Sequence, residues 1–141
     1  MNTNSQNPAV GKAFEAAVAK WFEHEYHSSF VSNYPLGIGQ PPKLHRFDIV
    51  NIDLSIVIEC KCYTWTETGN VSSAKMGFVN EAVFYLSFLT NAETYIVMKK
   101  AQHPKRNETL AEYYYRTNKH LLGYTKVLEY DLLSNVMRHC G

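Results

Sequence analysis

The sequence predicts a single α/β domain with a central mixed sheet flanked by helices. Three observations carry that prediction. An amphipathic helical stripe lies near the start, extended β-rich runs follow it, and helical and strand patterns alternate through the second half. At 141 residues the chain has the size of one domain and can bury most of the surface its unfolded form would expose.

The elements follow in order. Residues 1–10, MNTNSQNPAV, have neither a charged start nor an apolar stretch, so they read as a disordered lead-in rather than a signal peptide, ahead of one domain over 11–141. Gly11 to Tyr26 carries Phe14, Ala17, Val18, Trp21 and Phe22 at helical spacing, with Pro8 just before the start. Gly11 falls on the stripe, where a missing side chain would allow close approach to a sheet. Ser29 to Tyr34 is a short extended piece, and LGIGQPPK after it is a loop. Arg46 to Asn51 and Ser55 to Tyr63 are rich in β-branched residues and close enough to form a hairpin.

TWTETGNVSS is a polar loop. Ala74 to Leu89 is predicted helical, with Phe78, Val79, Ala82, Tyr85, Leu86 and Leu89 inward. Val83, Phe84 and Phe88 spread apolar surface round that helix, so it is buried on two sides or lies at a subunit interface. Thr94 to Met98 is a strand. Glu108 to Leu122 is a helix with Leu110, Tyr113, Tyr114, Thr117 and Leu121 inward, closed by Gly123. Lys126 to Tyr130 is a last strand, with room for a final hairpin arm through Met137.

Composition sets limits on function. Hydrophobic residues make up 45% and charged residues 19%, which is ordinary for a soluble domain, and the net charge is +1. A phosphate-binding surface must therefore be a local patch. No apolar run approaches the roughly 20 residues that cross a bilayer, so cytoplasmic residence is expected. Cys60 and Cys62 share one strand face, which suits core packing. A zinc site would need further ligands, and Cys140 is the only other thiol.

Glu59-Cys60-Lys61 ends the most apolar run, Ile56-Val57-Ile58, and strand alternation places Glu59 and Lys61 on one face. Such charges are costly to bury unless paired or bound to a metal. Alone, the triplet fits a strand end reaching water, with the two charges paired. Asp48, eleven residues upstream in the preceding strand, changes this, because antiparallel pairing would bring its carboxylate near that of Glu59. Adjacent carboxylates raise each other's pKa unless a cation neutralises them. Hard divalent cations bind through one or two carboxylates with phosphate oxygens and water. A lysine beside them could activate the attacking water. Glu15 lies at the border of the Phe14/Trp21 stripe, placed either to reach the sheet edge or to remain an ordinary boundary residue.

GKAFEAAVAKWF, RFDIV and SIVIECK together resemble the restriction-endonuclease-like PD-(D/E)xK nuclease superfamily over about residues 11–100. In that superfamily a leading helix carries a Glu, a hairpin the Asp, and the next strand ExK. The order of elements also matches its αβββαβ core, here with an extra C-terminal helix and strand. The resemblance implies a metal-dependent endonuclease acting on DNA, with Mg²⁺ or Mn²⁺ held by Asp48, Glu59 and the backbone carbonyl of Cys60. Lys61 would activate the water and Glu15 would be the auxiliary acid. Phe47 stands where Pro is frequent, which makes the motif less specific. The superfamily also includes members without catalysis, so an inactive nucleic-acid-binding or assembly module is the alternative.

Several further residues are candidate nucleic-acid contacts. Lys43, His45 and Arg46 precede the Asp, His103, Lys105 and Arg106 lie in HPKRN, and Lys75 opens the second helix. Solvated basic loops and a snorkelling lysine are the plainer readings. Trp65 either stacks on a base or pins its loop, Tyr113 and Tyr114 pack, and His24/His27 lack further ligands. A homodimer is expected from the apolar surface of the second helix. No specificity module is visible, which favours structure-directed or guided cleavage over sequence-specific restriction.

Overall fold

A computed structural model of the chain describes residues 8–141. Helix α1 (Pro8–Tyr26) buries Phe14, Val18 and Phe22, four residues apart, while Ala17 and Trp21 are half-buried on its flanks. Pro8 stands in the first turn rather than before it, so Pro8, Ala9 and Val10 belong to the helix and not to a lead-in. Residues 1–7 lie outside the described residues. His27 adopts a left-handed φ of 51° directly after the helix. Gly11 does not serve close packing, because a Cβ added there would meet nothing within 4 Å.

Strands β1 (Phe30–Ile38), β2 (Lys43–Asn51) and β3 (Ile56–Lys61) form an antiparallel meander. β1 runs further than expected, since Pro35, Leu36 and Gly37 pair with Arg46, His45 and Leu44, and a proline is tolerated on an edge strand. The Gly/Pro loop shrinks accordingly to residues 39–42.

Helix α2 (Ser73–Leu86) starts on Ser72, whose side chain accepts from the Lys75 N–H. It crosses to strand β4 (Glu93–Lys99), which runs parallel to β3. Its buried positions are Val79, Ala82, Val83 and Leu86. Phe78, predicted inward, is 51% exposed, while Val83 has taken the inward place.

Helix α3 (Leu110–Asn118) begins later than predicted because Thr109 and Glu112 form a reciprocal capping box. A 3₁₀ turn (Lys119–Leu121) follows, advancing the chain about 120° per residue instead of about 100°. Leu122 is therefore buried and Leu121, predicted inward, is exposed; Thr117, also predicted inward, is exposed within α3 itself. Gly123 has the left-handed φ of 57° expected of a helix terminator. Strand β5 (Lys126–Asp131) pairs parallel to β4, and the possible hairpin arm is a true strand, β6 (Val136–Cys140), antiparallel to β5.

Among the described residues the result is a mixed α/β fold with one six-stranded sheet in the order β1-β2-β3-β4-β5-β6 and three α-helices. α1 covers one face, packing Phe14, Val18 and Phe22 on Ile49, Ile58, Tyr95 and Leu128. α2 and α3 cover the other, where Val79, Leu86, Leu110 and Tyr114 meet Phe47, Val57, Ile96 and Val127. β3, β4 and β5 are thus buried on both sides, which is why Ile56-Val57-Ile58 is continuously apolar rather than alternating. Among the described residues no helix is long and apolar enough to cross a membrane.

Candidate active site

The site forms where the β2–β3 ladder comes apart. Val50 pairs with Val57 and Ile49 with Ile58, and continuing that register brings Asp48 opposite Glu59. There the side chains take over from the main chain. The Asp48 N–H donates to Glu59 Oε2 at 3.0 Å, and the Cys60 N–H donates to Asp48 Oδ2 at 2.8 Å. Each carboxylate accepts from a backbone amide of the opposite strand, so the two acids are held against each other.

Glu59 is only 6% exposed. Burial, followed by the charge of Asp48, pushes its carboxyl up to about 9. Glu15 reaches the same cluster from α1. It is half-buried, and its pKa is raised by burial first and by Asp48 second, with Lys12 and Lys61 opposing. Lys61 is half-buried on the Glu59 side of β3. Among the described residues it makes no ion pair with either acid, so the paired-charge account of Glu59 and Lys61 does not hold. The four residues singled out as Glu15, Asp48, Glu59 and Lys61 therefore lie in one electrostatic neighbourhood.

Glu59 has a different partner. His45 Nε2 lies 3.3 Å from Glu59 Oε1, and the imidazole sits against Tyr85 (ring centroids 4.2 Å apart) and edge-on to Phe47 (4.6 Å). Burial is the main cause that lowers the pKa of His45, with Lys61 adding to it and Asp48 and Glu81 opposing. The sequence marked His45 only as a phosphate contact. Its position two residues before Phe47 and three before Asp48 carried no signal that it would touch Glu59.

Two carboxylates and a main-chain carbonyl are the donor types that hard divalent cations take. The buried, mutually opposed pair at Asp48 and Glu59 is the kind of cluster whose ionisation a cation would relieve. In chemistry the residues fit Mg²⁺ or Mn²⁺. Among the described residues no three His, Cys, Asp or Glu side chains are arranged to hold a metal ion. One oxygen of each acid is occupied by a backbone amide and Glu59 Oε1 faces His45, which leaves Asp48 Oδ1; a cation at Glu59 would share Oε1 with the imidazole. Cys60 contributes its amide to this arrangement, while its side chain and that of Cys62 pack on the α1 cluster. Burial raises both thiols, as expected of core cysteines.

The basic candidates divide. Lys75 stands 5.5 Å from the centroid of Tyr63, whose pKa is raised by burial and then by Asp48, so this lysine lies on the site's side. Lys43 and Arg46 are exposed on β2, and Arg46 donates to the Asn33 carbonyl at 2.9 Å. Lys12, unremarked in the sequence, lies one turn before Glu15 and acts on it electrostatically.

Lys105 and Arg106 belong to a different assembly. Their backbone N–H groups both donate to His103 Nδ1, so its Nε2 carries the proton and donates to the Gly69 carbonyl at 3.1 Å. His103 is therefore a buried clasp between two loops and not a phosphate contact. Arg106 lies 5.4 Å from the Trp65 ring and 3.4 Å from Glu108. Trp65 pins its loop, donating to the Ala101 carbonyl at 2.9 Å. Tyr114 packs as predicted, with its hydroxyl donating to Asn80 Oδ1.

No family model, curated protein or solved structure matches the chain.

Proposed function

We propose that the chain is a divalent-cation-dependent endonuclease of the PD-(D/E)xK type, built on a restriction-endonuclease-like αβββαβ core and acting on DNA. One observation carries the proposal. Asp48 and Glu59 meet through each other's strand amides at an opening in the sheet, with Lys61 next on the same face and Glu15 brought in by α1. A domain that needed only stability would fill such a position with apolar side chains, because buried opposed acids cost free energy.

In this reading Asp48, Glu59 and the Cys60 carbonyl hold Mg²⁺ or Mn²⁺, which when bound polarises a phosphate oxygen and lowers the pKa of water. Lys61 positions the attacking water and offsets charge on the phosphate as the P–O bond to the leaving strand breaks. Glu15 holds a second water or orients the first. His45 keeps Glu59 in place through Oε1. Lys75, Lys43 and Arg46 contact the phosphate backbone. One centre suffices for nicking. A homodimer would supply the second for duplex cleavage, and the exposed Phe78 on α2 is apolar surface for that contact.

A specific observation favours a second reading, a non-catalytic module on the same scaffold. Both acids are already satisfied by backbone amides, so they can serve as a structural clasp at the sheet opening. One experiment separates the two: titrate the purified protein with Mn²⁺ and assay nicking of supercoiled plasmid. Mn²⁺ binding with nicking that is lost in Asp48→Ala and Lys61→Ala supports the nuclease. No binding, and identical behaviour of the two variants and the parent chain, leaves the scaffold.

A further inference from the structure

Beside the candidate centre, β2 and α2 enclose a groove of about 370 Å³ that the catalytic account does not use. Half-buried His45 and Tyr85 line it, together with Leu44, exposed Lys43 and two aromatic side chains open to solvent, Phe84 (61% exposed) and Phe88 (43% exposed). The two phenyl rings meet edge to face with centroids 5.2 Å apart. We propose that this groove seats an unpaired nucleobase of the substrate strand, which makes the preferred substrate single-stranded or branched DNA. The proposal rests on the nuclease reading of the adjoining site.

Four features point to that occupant. The groove is continuous with the centre, since His45 both lines it and lies 3.3 Å from Glu59. A base held there would fix the neighbouring phosphate against the two acids. Among the described residues no acidic side chain lines it and Lys43 does, so a nucleotide entering the groove itself meets positive or neutral groups. Exposed aromatic faces stack on bases of any sequence, and bases inside a duplex keep their faces covered, so the user of the groove must be unpaired. Finally, its volume is that of a small-ligand site, about 300–1,000 Å³. A stable dimer instead buries a broad patch of about 800 Å² on each partner. Phe78 lies six residues from Phe84, about 120° around the helix, so its contact with another chain would leave the groove open.

The test uses the full chain and oligonucleotides carrying 2-aminopurine, whose fluorescence falls on stacking. Binding is measured with Ca²⁺ in place of Mg²⁺, and cleavage is then measured with Mg²⁺. Phe84→Ala and Phe88→Ala remove exposed rings, so both variants fold. The expected result is quenching by the parent chain, affinity for single strands lower by about tenfold in each variant, and little change for blunt duplex. In cleavage, KM for single strands rises while kcat is retained. The proposal is overturned if quenching is absent, if duplex and single-strand binding weaken alike, or if the variants convert a dimer into monomers in sedimentation, which would assign the groove to a second copy. Ring-dependent binding without cleavage of any substrate would refute the nuclease reading and leave the groove standing. Lys61-dependent cleavage indifferent to both rings would remove the groove alone.

Discussion

Raising the pH in the presence of EDTA is expected to destabilise this protein, and Glu59 is the cause. The unfolded chain releases that proton near the ordinary value of 4.5, whereas the folded chain holds it up to about 9. Between those values the folded state binds one more proton than the unfolded state, so stability falls as pH rises, by up to about 1.4 kcal/mol per pH unit. The useful window runs from roughly pH 6.5 to 8. Below it, the lowered pKa of His45 acts in the opposite sense, since a histidine kept neutral in the fold loses stability as the unfolded form gains its proton. Above it, the raised thiols of Cys60 and Cys62 add a further loss. Across the window the Glu59 contribution sums to about 2 kcal/mol, or a fall in Tm of about 4–8 °C for a domain of this size. Thermal melts followed by circular dichroism in EDTA measure it directly. Glu59→Gln keeps an acceptor for the Asp48 amide but cannot ionise, so its curve should be flat over the window and lie above the parent at pH 8. Saturating Mg²⁺ should flatten the parent curve by binding the ionised pair. A parent curve that is flat in EDTA, or a slope that persists in Glu59→Gln, would refute the argument.

Other substitutions test separate parts of the account. Lys61→Ala should lower plasmid nicking by about 10²–10⁴-fold while leaving DNA affinity near that of the parent, as read by gel shift in Ca²⁺. Glu15→Gln should cost about 10–100-fold in the same nicking assay, the range for a residue that supports a metal centre rather than forming it. Gly69→Ala forces a Cβ to within 2.5 Å of His103 Nε2 at a φ of +87°, so urea denaturation should show a loss of about 1–3 kcal/mol. Phe22→Ala empties a fully buried position packed against Phe30, Tyr26 and Tyr95, and a loss of about 3–5 kcal/mol is expected by the same method.

Helices and strands were legible wherever periodicity is local. The stripe of α1 and the apolar run of β3 identified their elements because side-chain direction repeats every 3.6 or 2 residues regardless of what lies opposite. Ends and phases were less legible. α3 starts at its capping box, and Leu122 rather than Leu121 is buried because a 3₁₀ turn intervenes. Phe78 and Val83 exchanged places because a helix that is apolar nearly all round does not announce which side a sheet will cover. β1 lengthened because pairing with β2 outweighs the poor strand propensity of Pro35 and Gly37.

For the site, the sequence by itself determined which acids and which lysine share a strand face or a helix border, since those placements follow from spacing alone. The tertiary structure decided the rest. That Asp48 and Glu59 accept each other's strand amides, that His45 touches Glu59, and that Glu59 is dehydrated enough to keep its proton toward pH 9 depend on residues 11–14 positions apart and on helices packed over both sheet faces. Trp65 and His103 were likewise settled by neighbours more than thirty residues away, at Ala101 and Gly69. Such contacts are set by where the sheet opens and what covers it, which no local pattern encodes.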